Sequence, residues 1–241
     1  MRTIRCHVDA PLAVGSPAAL SELASGHLVR VLRLGVGDAV VLFNGDGHDY
    51  DARLASVGKR GAEAMVTGVR ALANESPLAI TLAQGVARGE KMDLVLQKGT
   101  ELGVAAFAPI NTERTEVKLD AERAAKRLAH WQGVLVAACE QSGRARVPAL
   151  AAPLGLAQWA GGTHAGLKLM LDPEGELTLA ALPPTDAVTL VVGPEGGLSE
   201  RDLATLRAAG FRGLRLGPRI LRTETAGLAA IAALQSRLGD L

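Results

Sequence analysis

The chain has 241 residues, enough for one large domain or two modest ones, and 48% of it is apolar, so a sizeable core can be buried. A formal net charge of +1 excludes a uniformly polybasic nucleic-acid binder but leaves room for a local basic patch. No apolar run approaches the ~20 residues of a membrane span, the opening MRTIRCHVDAPL lacks the apolar core of a signal peptide, and Cys6, Cys139 and the five histidines show no metal-binding spacing. These features predict a cytoplasmic protein with no membrane association, no metal, and two thiols used as small buried apolar groups.

Residues 1–72 read as β-rich. TIRCHV (3–8) is a short strand, and AVVLFNGDGHDYDARLASV (39–57) reads as two strands around an Asn44-Gly45-Asp46-Gly47 turn. AEAMVTGV (62–69) is a further strand, and one helix is expected from Ser16 to Val31. ALANESP (71–77) is polar, ends in proline and reads as a linker.

After it the rhythm changes. LAITLAQ (78–84), VAAFAPI (104–110), LKLMLD (167–172), VTLVVG (188–193) and GLRLG (213–217) read as buried strands. Between them lie helical patterns over EKMDLVLQKGTELG, from Asp120 to Gln141, from Ser199 (with Asp202 completing a capping box) and from Thr225 to Leu238. This alternation predicts a mostly parallel sheet with helices on both faces over residues 73–241.

The familiar nucleotide signatures are missing. There is no G-x-x-x-x-G-K-[ST], no G-x-G-x-x-G after the first strand of the α/β part, and no G-x-S-x-G. Three strand ends stand out instead: LMLDPEGE (169–176), VVGPEGGLSERD (191–202) and LRLGPRILRTETAG (214–227). Each is a buried strand running into a loop rich in Gly and Pro, where backbone amides can approach a ligand closely. In the third, Thr223 and Thr225 are placed to cap the following helix. A metabolic α/β enzyme with another nucleotide ligand would need a different phosphate motif, and none is present.

GPEGGLSERD and LRLGPRILRTETAG, in that order, resemble the signature of the bacterial 16S ribosomal RNA uridine-N3 methyltransferase family (RsmE-type) of the SPOUT superfamily. HLVRVLRLGVGDAVVLFNGDG (27–47) is similar to that family's N-terminal PUA-like domain. EKMDLVLQKGTELGV (90–104), NTERTEV (111–117) and WQGVLVAACEQSGRARVP (131–148) are similar to its central segments. The resemblance implies a SPOUT trefoil-knotted α/β domain (73–241) preceded by a small PUA-like β-barrel that binds RNA (1–72). It also implies S-adenosylmethionine as cofactor, 16S ribosomal RNA or the small ribosomal subunit as partner, and a homodimer. By the same resemblance the cofactor is held by Leu171, Gly193, Glu195, Gly196, Leu216, Ile220, Leu221 and Thr225.

Methylation of uridine N3 requires loss of an imide proton and stabilisation of the resulting anion. Arg222 is the candidate for the anion, and Glu195, Glu101 and Glu140 are candidates for the base; Glu195 has alternative readings as a partner of the cofactor's sulfonium or of loop amides. RNA contacts are expected from Arg2, Arg5, Arg30, Arg33, Arg114, Arg144 and Arg146. His27 and His48 read as ordinary turn or surface histidines. Aromatic residues make up 2% of the chain, too few for an extended base-stacking platform, so folded RNA or a ribosomal particle is the expected substrate. The competing readings are another SPOUT enzyme, such as a ribose 2′-O-methyltransferase, and a non-catalytic RNA-binding factor.

Overall fold

A computed structural model describes residues 4–58, 61–116 and 121–241. The chain forms two compact units: Met1–Glu75 with Val136–Val147, and Ser76–Leu135 with Pro148–Leu241. The segment 136–147 groups with the first unit although it lies beyond residue 73 in sequence.

The first unit holds β1 (Arg5–His7), β2 (Pro17–Ala19), α1 (Glu22–Gly26), a π-helical turn (His27–Val31), β3 (Ala39–Phe43), β4 (His48–Gly58) and β5 (Gly61–Ala71). Its sheet runs β1-β3-β4-β5-β2, with β1 parallel to β3 and the other pairs antiparallel. β5 shows why: Ala62, Ala64 and Val66 face the core while Glu63 and Met65 face out, the period of two expected of a half-buried strand. The Asn44–Gly47 turn joins β3 to β4. Gly45 and Gly47 have φ near +93° and +94°, and Asp46 accepts from the His48 N–H and the Tyr50 hydroxyl.

The single helix expected over Ser16–Val31 is instead a strand, a short helix and a π-helical turn. Pro17–Ala19 form an edge strand, where a proline without an N–H is tolerated. The helix begins only after Ser21, whose hydroxyl oxygen accepts from the Ala24 N–H at 3.1 Å. The turn ends at Arg33, which has φ +58°, and the Leu34 N–H reaches back to the Leu28 carbonyl at 3.0 Å. The returning segment packs Cys139 and Ala145 against Phe43, and Glu140 accepts from the His7 N–H at 3.0 Å.

The second unit begins with β6 (Ala79–Gly85), α2 (Glu90–Glu101) and β7 (Val104–Asn111). α3 (Ala121–Ser142) runs on into the segment assigned to the first unit. Then follow β8 (Ala149–Leu150), β9 (Leu154–Gly155), α4 (Leu156–Ala160), β10 (Leu167–Leu171), β11 (Ala187–Val192), α5 (Glu200–Ala208), β12 (Arg212–Leu214) and α6 (Thr223–Leu238). The sheet order is β12-β10-β11-β6-β7-β8, with β9 also on β7, and every pairing among the described strands is parallel.

Both faces of the sheet are covered, which is why its central strands read as unbroken apolar runs. Ala83, Ala108, Met170 and Val191 pack with Trp159 of α4, Leu206 of α5 and Phe211. On the opposite face Phe107 meets Gly99 of α2, and Val192 meets Gly227 of α6. α5 starts with the predicted capping box: Ser199 and Asp202 each accept from the other's N–H, an arrangement that contributes roughly 1 kcal/mol. The expected strand over 213–217 ends at Leu214, and the residues after it form the loop described next. The short α4, β8 and β9 have too few residues to show a period and are not legible in the sequence.

Candidate active site

β10, β11 and β12 are parallel and β10 pairs with both of the others, so their C-terminal ends lie along one edge of the sheet. The loops that follow them enclose a pocket of about 610 Å³. Leu171, Asp172 and Pro173 come from the first loop, Gly193–Leu198 from the second, and Leu216, Gly217 and Arg219–Arg222 from the third. Val192, Leu203 and Leu214 add apolar lining. Such a position, outside the carboxyl ends of parallel strands, is where open α/β sheets take their ligands.

One hydrogen-bonded chain ties the second and third loops together. The side-chain amide of Gln84, at the end of β6, donates to the Thr223 hydroxyl oxygen at 2.9 Å, and that hydroxyl donates to the Gly193 carbonyl. Gly193 itself has no room for a side chain: a Cβ would lie 2.9 Å from the Gly197 carbonyl carbon and from the Leu198 nitrogen. The tight turn it allows brings the Gly197 N–H to the Pro194 carbonyl at 2.8 Å.

Every cofactor position carried over from the family lines this pocket except Thr225. Thr225 is exposed, and the inward threonine is Thr223, which is buried and lines the pocket. α6 begins at Thr223, so Thr225 is turned about 200° around the helix from it. Neither threonine caps the helix. Arg222 is the N-cap residue and makes no side-chain capping bond, since a guanidinium has no acceptor to offer the helix N–H groups, and the Thr223 hydroxyl is committed to Gly193 and Gln84.

The charged lining is mixed. Glu195 accepts from the Arg88 N–H at 3.0 Å and from Lys91 Nζ at 3.1 Å. Burial raises its pKa, but the hydrogen bonds from Arg88 and Lys91 and the Lys91 charge outweigh burial, and the carboxyl titrates below its ordinary range. Asp172, buried at the end of β10, accepts from the Glu174 N–H at 3.0 Å and from Arg207 at 3.1 Å. Glu224, half-buried in the first turn of α6, lines the pocket, and its Oε2 is enclosed with no hydrogen-bond partner among the described residues. Arg114, Arg219 and Arg222 are exposed at the rim, and Arg114 donates to the Gly196 carbonyl at 2.9 Å. Glu101 is paired with Lys98, and Glu140 holds the His7 N–H; neither lines the pocket.

The remaining arginines divide. Arg30, Arg33 and Arg146 are exposed. Arg5 and Arg144 are not: their side chains are 8% and 6% exposed, Arg5 pairs with Asp49 and donates to the Arg144 carbonyl, and Arg144 pairs with Glu75. These two serve as internal ties of the first unit. Arg2 lies outside the described residues. Among the described residues no His, Cys, Asp and Glu side chains gather into a metal-binding group, and no helix is long and apolar enough to cross a membrane.

The RNA methyltransferase domain family matches residues 74–235, and the RNA methyltransferase PUA domain family matches residues 24–66. A protein of Legionella pneumophila, solved in complex with the bound cofactor SAM, superposes with a TM-score of 0.97 at 40% identity over 100% of both chains. Ribosomal RNA small subunit methyltransferase E of Neisseria gonorrhoeae, bound to S-adenosyl methionine, gives a TM-score of 0.92, also at 40% identity over 100% of both. The protein of the same name from Buchnera aphidicola (Schizaphis graminum) is 31% identical over 100% of this chain and 98% of its own. The SPOUT-type α/β fold behind a PUA-like β-rich domain, expected from the resemblance, is thus the fold of this molecule. The chain belongs to the ribosomal RNA small subunit methyltransferase E family of RNA methyltransferases.

Proposed function

We propose that the protein uses S-adenosylmethionine to methylate N3 of a uridine in 16S ribosomal RNA. The observation that carries this reading is the three-loop pocket at the ends of β10, β11 and β12. Its volume of about 610 Å³ suits a nucleoside with an amino-acid tail. Leu171, Leu216, Ile220 and Leu221 offer apolar surface for an adenine ring, and Gly193 and Gly196 allow close backbone approach beside it. Two structural relatives at 40% identity carry that cofactor. When bound, it supplies a methyl group on a positively charged sulfur.

The chain's own residues then have distinct tasks. The glycine-rich turns and the leucines hold and orient the cofactor, with Thr223 as the threonine that lines the pocket. Glu195, already bonded to Arg88 and Lys91, fixes the second loop and adds negative charge near the sulfonium; its low pKa suits it poorly to accept a proton. Arg222 stabilises negative charge on the base as the imide proton leaves. Residues 1–72 bind RNA and 73–241 carry the chemistry, with Arg30, Arg33, Arg114 and Arg146 meeting phosphate. The enzyme acts in the cytoplasm on 16S ribosomal RNA or the small subunit, as a homodimer joined through the half-buried apolar positions Leu128 of α3 and Leu228 of α6.

The test is methylation of small ribosomal subunits that lack the modification, followed by mass spectrometry of the nucleosides. New 3-methyluridine is the expected product. A 2′-O-methylated nucleoside would replace this reading with ribose chemistry, and absence of cofactor binding by the folded protein would replace it with RNA binding alone.

A further inference from the structure

We propose that Glu224 is the group that accepts the imide proton of the target base and reads that base as a uridine; the role rests on the uridine-N3 reading above. Among the described residues three carboxylates line the pocket: Asp172, Glu195 and Glu224. Two are engaged. Asp172 holds the Glu174 N–H and Arg207, and Glu195 holds the Arg88 N–H and Lys91. Glu224 differs: Oε2 is enclosed and meets no donor among the described residues. Enclosed acceptors without a donor are uncommon in folded proteins, and a catalytic role is one of the reasons such a group is kept, so a lining carboxylate in this state is the candidate to meet a ligand's donor.

The chemistry of the base fits the local charges. The edge of uracil presents acceptor, donor, acceptor: O4, N3–H, O2. Its complement is a donor, an acceptor and a donor. Glu224 supplies the acceptor, and Arg219 and Arg222 line the same pocket as donors. Cytosine carries a lone pair at N3 instead of N–H and would set that lone pair against the carboxylate, so the same group excludes it. In the proton step the N3–H bond breaks and its electron pair stays on N3. The proton passes to a carboxylate oxygen of Glu224, negative charge spreads onto O2 and O4 towards the guanidinium groups, and the proton is released to water after the product departs.

The test compares the full-length wild type with Glu224→Gln and Glu224→Asp. S-adenosylmethionine affinity is measured by calorimetry, folding by thermal unfolding, and the chemical step by single-turnover methylation of unmodified small subunits. The expected result for Glu224→Gln is cofactor affinity within about twofold of wild type and a rate lower by roughly 100-fold or more. Glu224→Asp should recover part of the loss. An unchanged rate in Glu224→Gln, or loss of cofactor affinity in step with rate, overturns the assignment while leaving uridine-N3 methylation standing. If the wild type makes a nucleoside other than 3-methyluridine, the reading of the reaction fails and the role of Glu224 falls with it.

Discussion

The hydroxyl of Thr223 donates to the carbonyl oxygen of Gly193 and receives the side-chain amide of Gln84, so the start of α6 and the turn after β11 are held through one buried oxygen. Replacing Thr223 by Val keeps the shape and removes both of its bonds, leaving the Gln84 amide only the Gly85 and Gly193 carbonyls. The expected cost is about 1–3 kcal/mol in urea unfolding, with weaker S-adenosylmethionine binding because the pocket's two loops lose their tie. Thr223→Ser should restore most of both.

Arg222 stands at the pocket rim as the N-cap of α6, without a side-chain capping bond to lose. Arg222→Ala is therefore expected to leave stability and cofactor affinity near wild type while turnover falls roughly 100- to 1,000-fold. Calorimetry and single-turnover rates separate the two quantities. Equal loss of both would move Arg222 from stabilising the anion to holding the cofactor.

The arginines of the first unit should split by burial. Arg5→Ala removes one of the two guanidinium partners of Asp49, leaving Arg70 at 2.9 Å, and is expected to cost about 1.5–3 kcal/mol of stability. Arg33→Gly should act in the opposite sense. Its φ of +58° is natural for glycine and strained for arginine, so unfolding should show a gain of about 1 kcal/mol. Ribosomal RNA affinity should fall, with the slope of log affinity against log salt reduced by about 1.

Glu195 gives a pH dependence of defined sign. Its folded pKa lies below the unfolded value of about 4.5, so its contribution is present above that value and is lost as pH falls through the folded pKa. Glu195→Gln should lower the unfolding midpoint at neutral pH. The difference between the two proteins should shrink as pH is taken down through the carboxylate range.

Burial pushes the Cys6 thiol up to about 12, with the Glu140 charge adding to it, and burial pushes Cys139 up to about 11 against the opposing Arg144 charge. Both thiols should be inert to a disulfide reagent in the native protein at mildly alkaline pH. Both should react at once in denaturant.

The sheet of the second unit was legible because its strands are buried on both faces and read as unbroken apolar runs between helical periods. The pocket loops were legible by their glycines and by resemblance. Thr225 lies outside the pocket lining because α6 begins at Thr223, two residues before the expected start, and two residues turn a side chain to the far side of a helix. Ser16–Val31 misled because Pro17 and two alanines do not distinguish an edge strand from a helix start. Arg5 and Arg144 looked like surface charge because nothing local reveals Asp49 and Glu75, which lie 44 and 69 residues away. Glu224 was passed over because its distinction, an oxygen with no donor, exists only once the chain is folded.

The returning segment has a consequence for the nascent protein. His7 waits for Glu140, 133 residues downstream, and Glu75 waits for Arg144. When the last strand of the β-rich sheet leaves the ribosome, Phe43 still lacks Cys139 and Ala145 as neighbours. The amino-terminal unit cannot complete its packing first and then act as a template for the rest; its last contacts form only after about 60% of the polypeptide has been made. A fragment cut at residue 75 would leave those contacts unmade, so the two parts of this enzyme mature together.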